Sequence, residues 1–257
     1  MFGVVWSGTR YLVSGDGGMI LTSVNSISWS IQKSSTSWYL PGITWSGTQI
    51  VVVGNVGLIA TSPDGIIWTQ VTSNTTQNLN GVTWSGTQAV IVGANGVIGT
   101  SSDGVTWTGR TSGTTSQLTG VAWSGTQFVA VGVGGTILTS SDGGTWTLTS
   151  GGVSQYNGVC WSGSQLVAVG TGGAIRTSPN GVVWTPRSSG TTNILYGVTW
   201  SGTQFVAVGS AGTIRTSPDG ITWTSRTSGT SIQLNGVVWS PDQIVIVGTN
   251  GVVITNP

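Results

Sequence analysis

The chain has 257 residues, a formal net charge of +1 and only 5% charged residues, against about a quarter in an average domain. It holds no His, no Glu and one Cys, Cys160, which excludes zinc sites of His/Cys type, a Ser/His/Asp triad, a Cys/His pair and a disulfide framework. Seven basic residues spread from Arg10 to Arg226 supply no phosphate-neutralising surface, so no nucleic-acid partner is expected; no metal and no cofactor is expected either.

No apolar run approaches the roughly 18 residues of a membrane span; the longest strand-like runs, such as 50–53 and 244–247, hold four. Met1-Phe2 leads straight into Gly3-Val4-Val5-Trp6-Ser7-Gly8, which is a repeat unit, so no leader peptide is expected. Such a chain is either a trimmed product or one that leaves its cell without a secretion signal.

The pair Trp-Ser, with Trp-Ser-Gly its commonest extension, opens near-copies at Trp6, Trp45, Trp84, Trp123, Trp161, Trp200 and Trp239, in steps of 39, 39, 39, 38, 39 and 39 residues. A second Trp follows 23 residues later at Trp29, Trp68, Trp107, Trp146, Trp184 and Trp223, but not after Trp239, because the sequence stops at Pro257. This gives one domain, 1–257, of seven repeats starting near Gly3, Gly42, Gly81, Gly120, Gly158, Gly197 and Gly236. The 43 Gly and 14 Trp are chiefly one unit multiplied.

Within the unit 197–235 the periodicity is two, not 3.6. Val198 and Trp200 alternate with Thr199, residues 205–208 form an apolar run closed by Gly209, and 213–216 and 221–224 are strand-like as well. These four strands, a to d, are joined by Ser201-Gly202-Thr203, Gly209-Ser210-Ala211-Gly212 and Ser217-Pro218-Asp219-Gly220, all turn formers, so successive strands are antiparallel neighbours. No helix is predicted. A unit of this size with four short strands is a propeller blade, and the fold class is all-β, a seven-bladed β-propeller whose last blade lacks its fourth strand. A solenoid would need a parallel sheet and distinct end caps, whereas the terminal units here look like the middle ones.

The segment Thr216-Ser217-Pro218-Asp219-Gly220-Ile221-Thr222-Trp223, with its copies Ser62-Pro63-Asp64-Gly65, Ser101-Ser102-Asp103-Gly104, Ser140-Ser141-Asp142-Gly143 and Ser178-Pro179-Asn180-Gly181, resembles the Asp-box (BNR-like) repeat of sialidase-type propellers. The whole repeat is also similar to that of photosystem II assembly-factor propellers. Two departures stand out: the usual box has one more residue between Asp and Trp, and Asn replaces Asp at Asn180 and Asn25. The resemblance to sialidases implies clustered Arg around a substrate carboxylate, an acid and a Tyr/Glu pair, but the chain has no Glu. Its acids sit in box turns apart from Asp16 and Asp242, which belong to different units, and paired-carboxylate chemistry needs two carboxyls facing one bond about 5 to 10 Å apart. No enzyme is expected.

Antiparallel strands place the a–b and c–d turns on one face of the disc and the b–c and d–a connections on the other. The first face is nearly constant, with Gln49, Gln88, Gln127, Gln165 and Gln204 recurring. The second varies: its d–a connections carry Trp38 and Tyr39, Tyr156 and Asn157, and Asn193 and Tyr196, where other copies have Leu79, Leu118 or Leu234, and its b–c loops carry Asn55, Asn95 and Asn250. Aromatic rings beside amides suit sugars; alternatively, an aromatic just before strand a occupies the Leu position and plugs the junction between blades. Arg176 with Arg187, and Arg215 with Arg226, are each 11 residues apart across a c–d hairpin, so each pair is expected on neighbouring strands, either contacting an anion or partner or simply keeping the surface soluble. Cys160 stands where other copies have Thr or Val and is expected to be a small buried residue.

The seventh unit ends after strand c, so the edge of Val252–Thr255 is expected either to take a strand from a neighbouring chain or to close a short blade. The sequence as a whole reads as a non-enzymatic binding or structural propeller, extracellular or in a virion, recognising a glycan or a protein partner. The alternative is a scaffold or assembly factor for a protein complex, and a glycosidase-like enzyme stands third.

Overall fold

Each repeat contains one run that is apolar at every position, and that run becomes the middle of a sheet sandwiched between two other sheets. The computed structural model describes every residue except Ser35, Gly151, Val153 and Pro257, together with the side chains of all of these but Lys33 and Ser150. In blade 6, strand b (Phe205–Gly209) lies between strand a (Leu195–Trp200) and strand c (Ile214–Ser217), with strand d (Thr224–Arg226) outermost. All five residues of b are buried. Six such antiparallel four-stranded sheets and a seventh of three strands, Leu234–Trp239, Ile244–Gly248 and Val253–Thr255, make the seven-bladed propeller. Among the described residues there is no α-helix, and each b–c loop holds a single 3-10 turn such as Ser210–Gly212.

Two boundaries differ from the sequence reading. Strand d begins after the second Trp rather than before it, because Asp219 accepts hydrogen bonds from the backbone N–H of Ile221 and Thr222 and so folds both into the c–d turn. Strand a begins earlier, at Leu195 or Tyr156, and pairs across an irregularity just before the glycine that opens each repeat. Tyr156, Asn157 and Tyr196 therefore belong to strands, not to d–a connections.

The core is a ring of interfaces between blades. Between blades 5 and 6, Val167, Val169 and Ile175 of one sheet meet Leu195, Phe205, Ala207 and Trp223 of the next. Cys160 packs at the edge of this cluster, and burial pushes its thiol well above the usual range. Toward the axis the strands a converge until backbones touch. A Cβ on Gly120 would stand 3.1 Å from the carbonyl oxygen of Asn157 and 3.5 Å from the Cα of Gly158, which is why every repeat opens on glycine.

Blades 7 and 1 close the ring without exchanging a strand. Met1, Tyr11, Val13, Val245 and Val247 form their shared cluster. The Asn235 amide donates to the Met1 carbonyl at 2.8 Å, and the Gln243 amide donates to Ser26 Oγ at 2.7 Å.

Candidate binding face

The b–c and d–a connections lie together on one face of the disc, and the repeat fixes what each position can do there. Two residues before each opening glycine stand Met1, Leu40, Leu79, Leu118, Tyr156, Leu195 and Leu234, all buried. Tyr156 is the largest fully buried side chain among the described residues. It packs with Val129, Val131, Leu166 and Trp184, and its hydroxyl meets Arg176. It is a plug between blades and is removed from the ligand-binding set, because its ring has no face left to present.

The next position forms a belt around the axis. Asn80 donates to the carbonyl of Leu118, Asn157 to that of Leu195 and Asn235 to that of Met1, at 2.7 to 2.8 Å, while Thr119 donates to that of Tyr156. Asn157 is thus consumed in tying blade 5 to blade 6. Phe2, Pro41 and Tyr196 fill the same position in the other blades, half-buried. Tyr39 packs against Phe2 with ring centroids 4.3 Å apart and the rings tilted by 48°, and burial followed by the nearby Asp16 pushes its hydroxyl pKa upward. Asn193 spends its amide on Thr213 Oγ1 at 2.8 Å.

Trp38 is different. It occupies the same repeat position as Asn193 but is 45% exposed. It separates two open clefts at the rim between blades 1 and 2. One, of about 660 Å³, is lined by Gly17, Met19, Ile31, Gln32, Trp38 and Gln70. The other, of about 720 Å³, is lined by Trp38, Asn55, Val56, Gln70, Asn74 and Thr75. Ile31 and Val56 are themselves exposed, so the shelf is apolar patches interleaved with amides. Related rim clefts in blades 3 and 5 contain Arg110 and Arg187, where blade 2 has Val71 and no cation.

The six candidate residues are therefore not brought together: Trp38 and Tyr39 lie at blades 1 and 2, the other four at blades 4 to 6. Ile31, Gln32, Val56 and Gln70 were missed by the sequence reading. Val71 in place of the Arg found at Arg110, Arg187 and Arg226 was the available signal that blade 2 breaks the pattern.

The paired arginines stand on neighbouring strands c and d, as their spacing implies, but not opposite one another. Arg176 stands opposite Pro186 and Arg187 opposite Ile175, so the two side chains leave opposite faces of the sheet. Arg215 and Arg226 are related in the same way, opposite Ser225 and Ile214. Each has a structural partner. Arg176 donates to the Trp184 carbonyl, Arg215 to that of Gly190, and Arg187 and Arg226 to Thr177 and Thr216 hydroxyls of their own blades.

Asp16 follows strand b of blade 1, whereas Asp242 precedes strand b of blade 7, so they lie on opposite faces of the disc and cannot flank one bond. Asp64, Asp103, Asp142 and Asp219 are turn formers. In blade 3, Asp103 Oδ1 accepts from the N–H of Val105 and Thr106 and from the Ser101 hydroxyl, and Trp107 Nε1 donates back to the Gly104 carbonyl. Among the described residues no group of three or more His, Cys, Asp or Glu is placed to hold a metal ion, and no helix is long and apolar enough to cross a membrane.

No protein-family model and no curated protein matches the chain. Solved structures do. The structure of YCF48 bound to D1 peptide is similar with a TM-score of 0.79 and 16% identity, over 99% of this chain and 90% of that one. YCF48 from Cyanidioschyzon merolae gives 0.77 and 15%, over 99% and 94%. The WD40 β-propeller domain of Doa1 gives 0.80 and 12%, over 98% and 90%. At these identities the likeness is one of fold, and what the three comparisons and the strand order agree on is a seven-bladed β-propeller.

Proposed function

We propose that this chain is a non-enzymatic scaffold that binds a protein partner on the face carrying the b–c and d–a connections, with an extended segment of that partner lying across Trp38. The observation that carries the reading is the exposed Trp38 ring between two clefts lined by backbone, amides and exposed Ile31 and Val56. Exposed aromatic anchors flanked by hydrogen-bonding groups are what peptide recognition uses. A propeller of the same fold, YCF48, has been solved with a peptide bound, which supports the class of partner. The repeat's Asp-box character is part of the same proposal and has a structural role in it, not a catalytic one.

A second reading is favoured by the shelf itself: Trp38 beside Gln32, Asn55 and Gln70 also suits a sugar, whose C–H face stacks on the indole while its hydroxyls meet the amides. Selection of peptides from a displayed library, alongside a glycan array, separates the two. Peptide binders lost in Trp38→Ala and retained in Tyr196→Ala support the protein scaffold; Trp38-dependent glycan binding with no peptide binders replaces it by a lectin. An extracellular or virion location stays a proposal, tested by electron microscopy of the native assembly.

A further inference from the structure

We infer that the cleft between Trp38 and the b–c loop of blade 2 is a pocket for one uncharged, apolar side chain of the bound segment, and that Val56 is the residue that selects it. The inference rests on the peptide reading of the Trp38 shelf and names the anchor that the shelf takes.

Its ground is a residue that the fold does not ask for. Val56 lies in the loop Asn55–Gly57 with φ +57°, and among the described residues it is the only β-branched one with a positive φ. Branching at Cβ makes the left-handed region costly, and Gly and Asn enter it with least strain. The six sister loops hold Gly17, Asn95, Gly134, Gly172, Ala211 and Asn250 at this position, none of them β-branched. Internal packing does not offset the strain. The Val56 side chain is 51% exposed, and a Cβ built at Gly17, Gly134 or Gly172 meets nothing within 4 Å. The loop holds Val56 through a bond from its N–H to Asn78 Oδ1 at 3.0 Å. A strained residue that persists with its apolar side chain in solvent points to a ligand contact.

Val56 is not an isolated departure. Trp38, which lines the same cleft, stands on a backbone position that the repeat keeps fixed. Its N–H donates to Thr36 Oγ1, just as those of Gln77, Ser116, Asn193 and Ile232 donate to the threonine two residues before each. The backbone is therefore common to five blades, and it is the side chain that changes. Val71 stands opposite Ile59 where Arg110, Arg187 and Arg226 stand opposite Ile98, Ile175 and Ile214. Three breaks in the repeat, each toward an apolar side chain, thus meet in one cleft of about 720 Å³.

Charge sets what this cleft accepts. Among the described residues no ionisable group lines it, whereas the sister clefts of blades 3 and 5 contain Arg110 and Arg187. A carboxylate or ammonium entering here would lose hydration with no counter-charge in return, while a Leu, Met or Phe side chain would cover Val56 and the indole. The amides of Asn55 and Gln70 are left for the backbone of the segment on either side of that anchor. A sugar hydroxyl finds no hydrogen bond on the Val56 wall, so the pocket fits a peptide side chain better than a glycan.

The test uses the whole chain and peptides selected on it from a displayed library, with Val56→Asn and Val56→Gly as variants, because sister blades carry both residues in this loop. Expected are peptides that need Trp38 and one apolar residue of their own, with Ser in place of that residue weakening binding by about tenfold or more. Both Val56 variants should bind several-fold more weakly while their unfolding midpoints equal or exceed that of the parent chain, because the strain is released. Val56→Ile should keep the affinity. Trp38-dependent peptides that bind Val56→Asn and Val56→Gly as tightly as the parent overturn the inference and leave the Trp38 reading standing, as do peptides anchored by a charged residue. A lowered midpoint in both variants would make Val56 a packing residue and overturns it too. If no peptide depends on Trp38, the reading itself falls, and the inference with it.

Discussion

Gln127 of blade 4 donates its side-chain amide to the backbone carbonyl of Asn180 in the c–d turn of blade 5. The bond spans two sheets that otherwise meet through apolar contacts such as Val129, Val131 and Leu166, so it sets how the exposed ends of the blades register. A net amide–carbonyl hydrogen bond contributes about 1 kcal/mol. Gln127→Ala should therefore lower stability by about that amount in a denaturant titration. Gln204→Ala, whose amide has no partner among the described residues, should change it by less than about 0.5 kcal/mol. Equal losses in the two variants would show that the clamp contributes nothing.

The c–d turns make stability acid-sensitive. Asp64, Asp103, Asp142 and Asp219 are held below the usual carboxylate range, mainly by backbone N–H groups of the two residues that follow the turn glycine. A depressed folded-state pKa gives stability that is present above the unfolded value, about 3.9, and is lost as pH falls through the folded value. With no His in the chain, no side chain adds a step between about pH 5 and 7. Apart from the stability lost as pH falls from about 8 because burial lowers the pKa of the Met1 amine, thermal unfolding should vary little over that range and fall steeply below about pH 4. Replacing all four Asp by Asn keeps the turn, as Asn180 shows by accepting from Val182 and Val183 at 3.1 and 3.2 Å. That variant should have a shallower acid limb; an unchanged limb would locate the acid sensitivity elsewhere.

Tyr156 and Trp38 entered as similar candidates and should part experimentally. Tyr156 is fully enclosed among Val129, Val131, Leu166 and Trp184, so Tyr156→Ala should cost about 3 to 5 kcal/mol, the range for truncating a large core residue. Tyr156→Leu should cost much less, because five sister blades hold Leu at that position. Trp38→Ala should leave the unfolding midpoint within about 1 °C while removing partner binding, since a substitution of an exposed side chain usually stays within about 0.5 kcal/mol. A large stability loss in Trp38→Ala would make it a packing residue.

The fold was legible because it was written seven times. A single Val198-Thr199-Trp200 alternation is weak, but its recurrence with a fixed step left no other architecture. What the repeat could not show was which members of a position are spent on holding the ring. Asn157, Asn193 and Tyr156 look like ligand contacts in sequence, and all three are occupied: by the Leu195 carbonyl, by Thr213 and by the core. The arginine pairs do lie on neighbouring strands, but they do not share a face. Placing Arg176 and Arg187 on one face or two depends on the hairpin register, and moving a register by one residue reverses every side chain. The turn extends to Val183 because Asn180 binds its N–H, a side-chain bond that the strand pattern does not reveal.

The b–c loops give the sharpest contrast between adjacent positions. Gly172 and Gly173 both have positive φ, +65° and +70°. At Gly172 nothing stands within 4 Å of an added Cβ, and the sister loops already hold Val56, Asn95, Ala211 and Asn250 there, at φ between +52° and +57°. Gly172→Asn should therefore be nearly neutral, because Asn tolerates the left-handed region best after glycine. At Gly173 an added Cβ would lie 2.0 Å from the backbone carbonyl oxygen of Thr191, in the d–a connection, and 2.8 Å from Ser189 Oγ. Every sister loop has glycine at this position, Gly18, Gly57, Gly96, Gly135, Gly212 and Gly251. Gly173→Ala combines the left-handed penalty, about 1 to 2 kcal/mol, with a backbone clash that only a shift of the d–a connection relieves. It should destabilise by clearly more than Gly172→Asn and should speed hydrogen exchange in residues 188–195, the segment that moves. Matching stabilities of the two variants would mean that the d–a connection yields freely and that the face it helps form is not rigid.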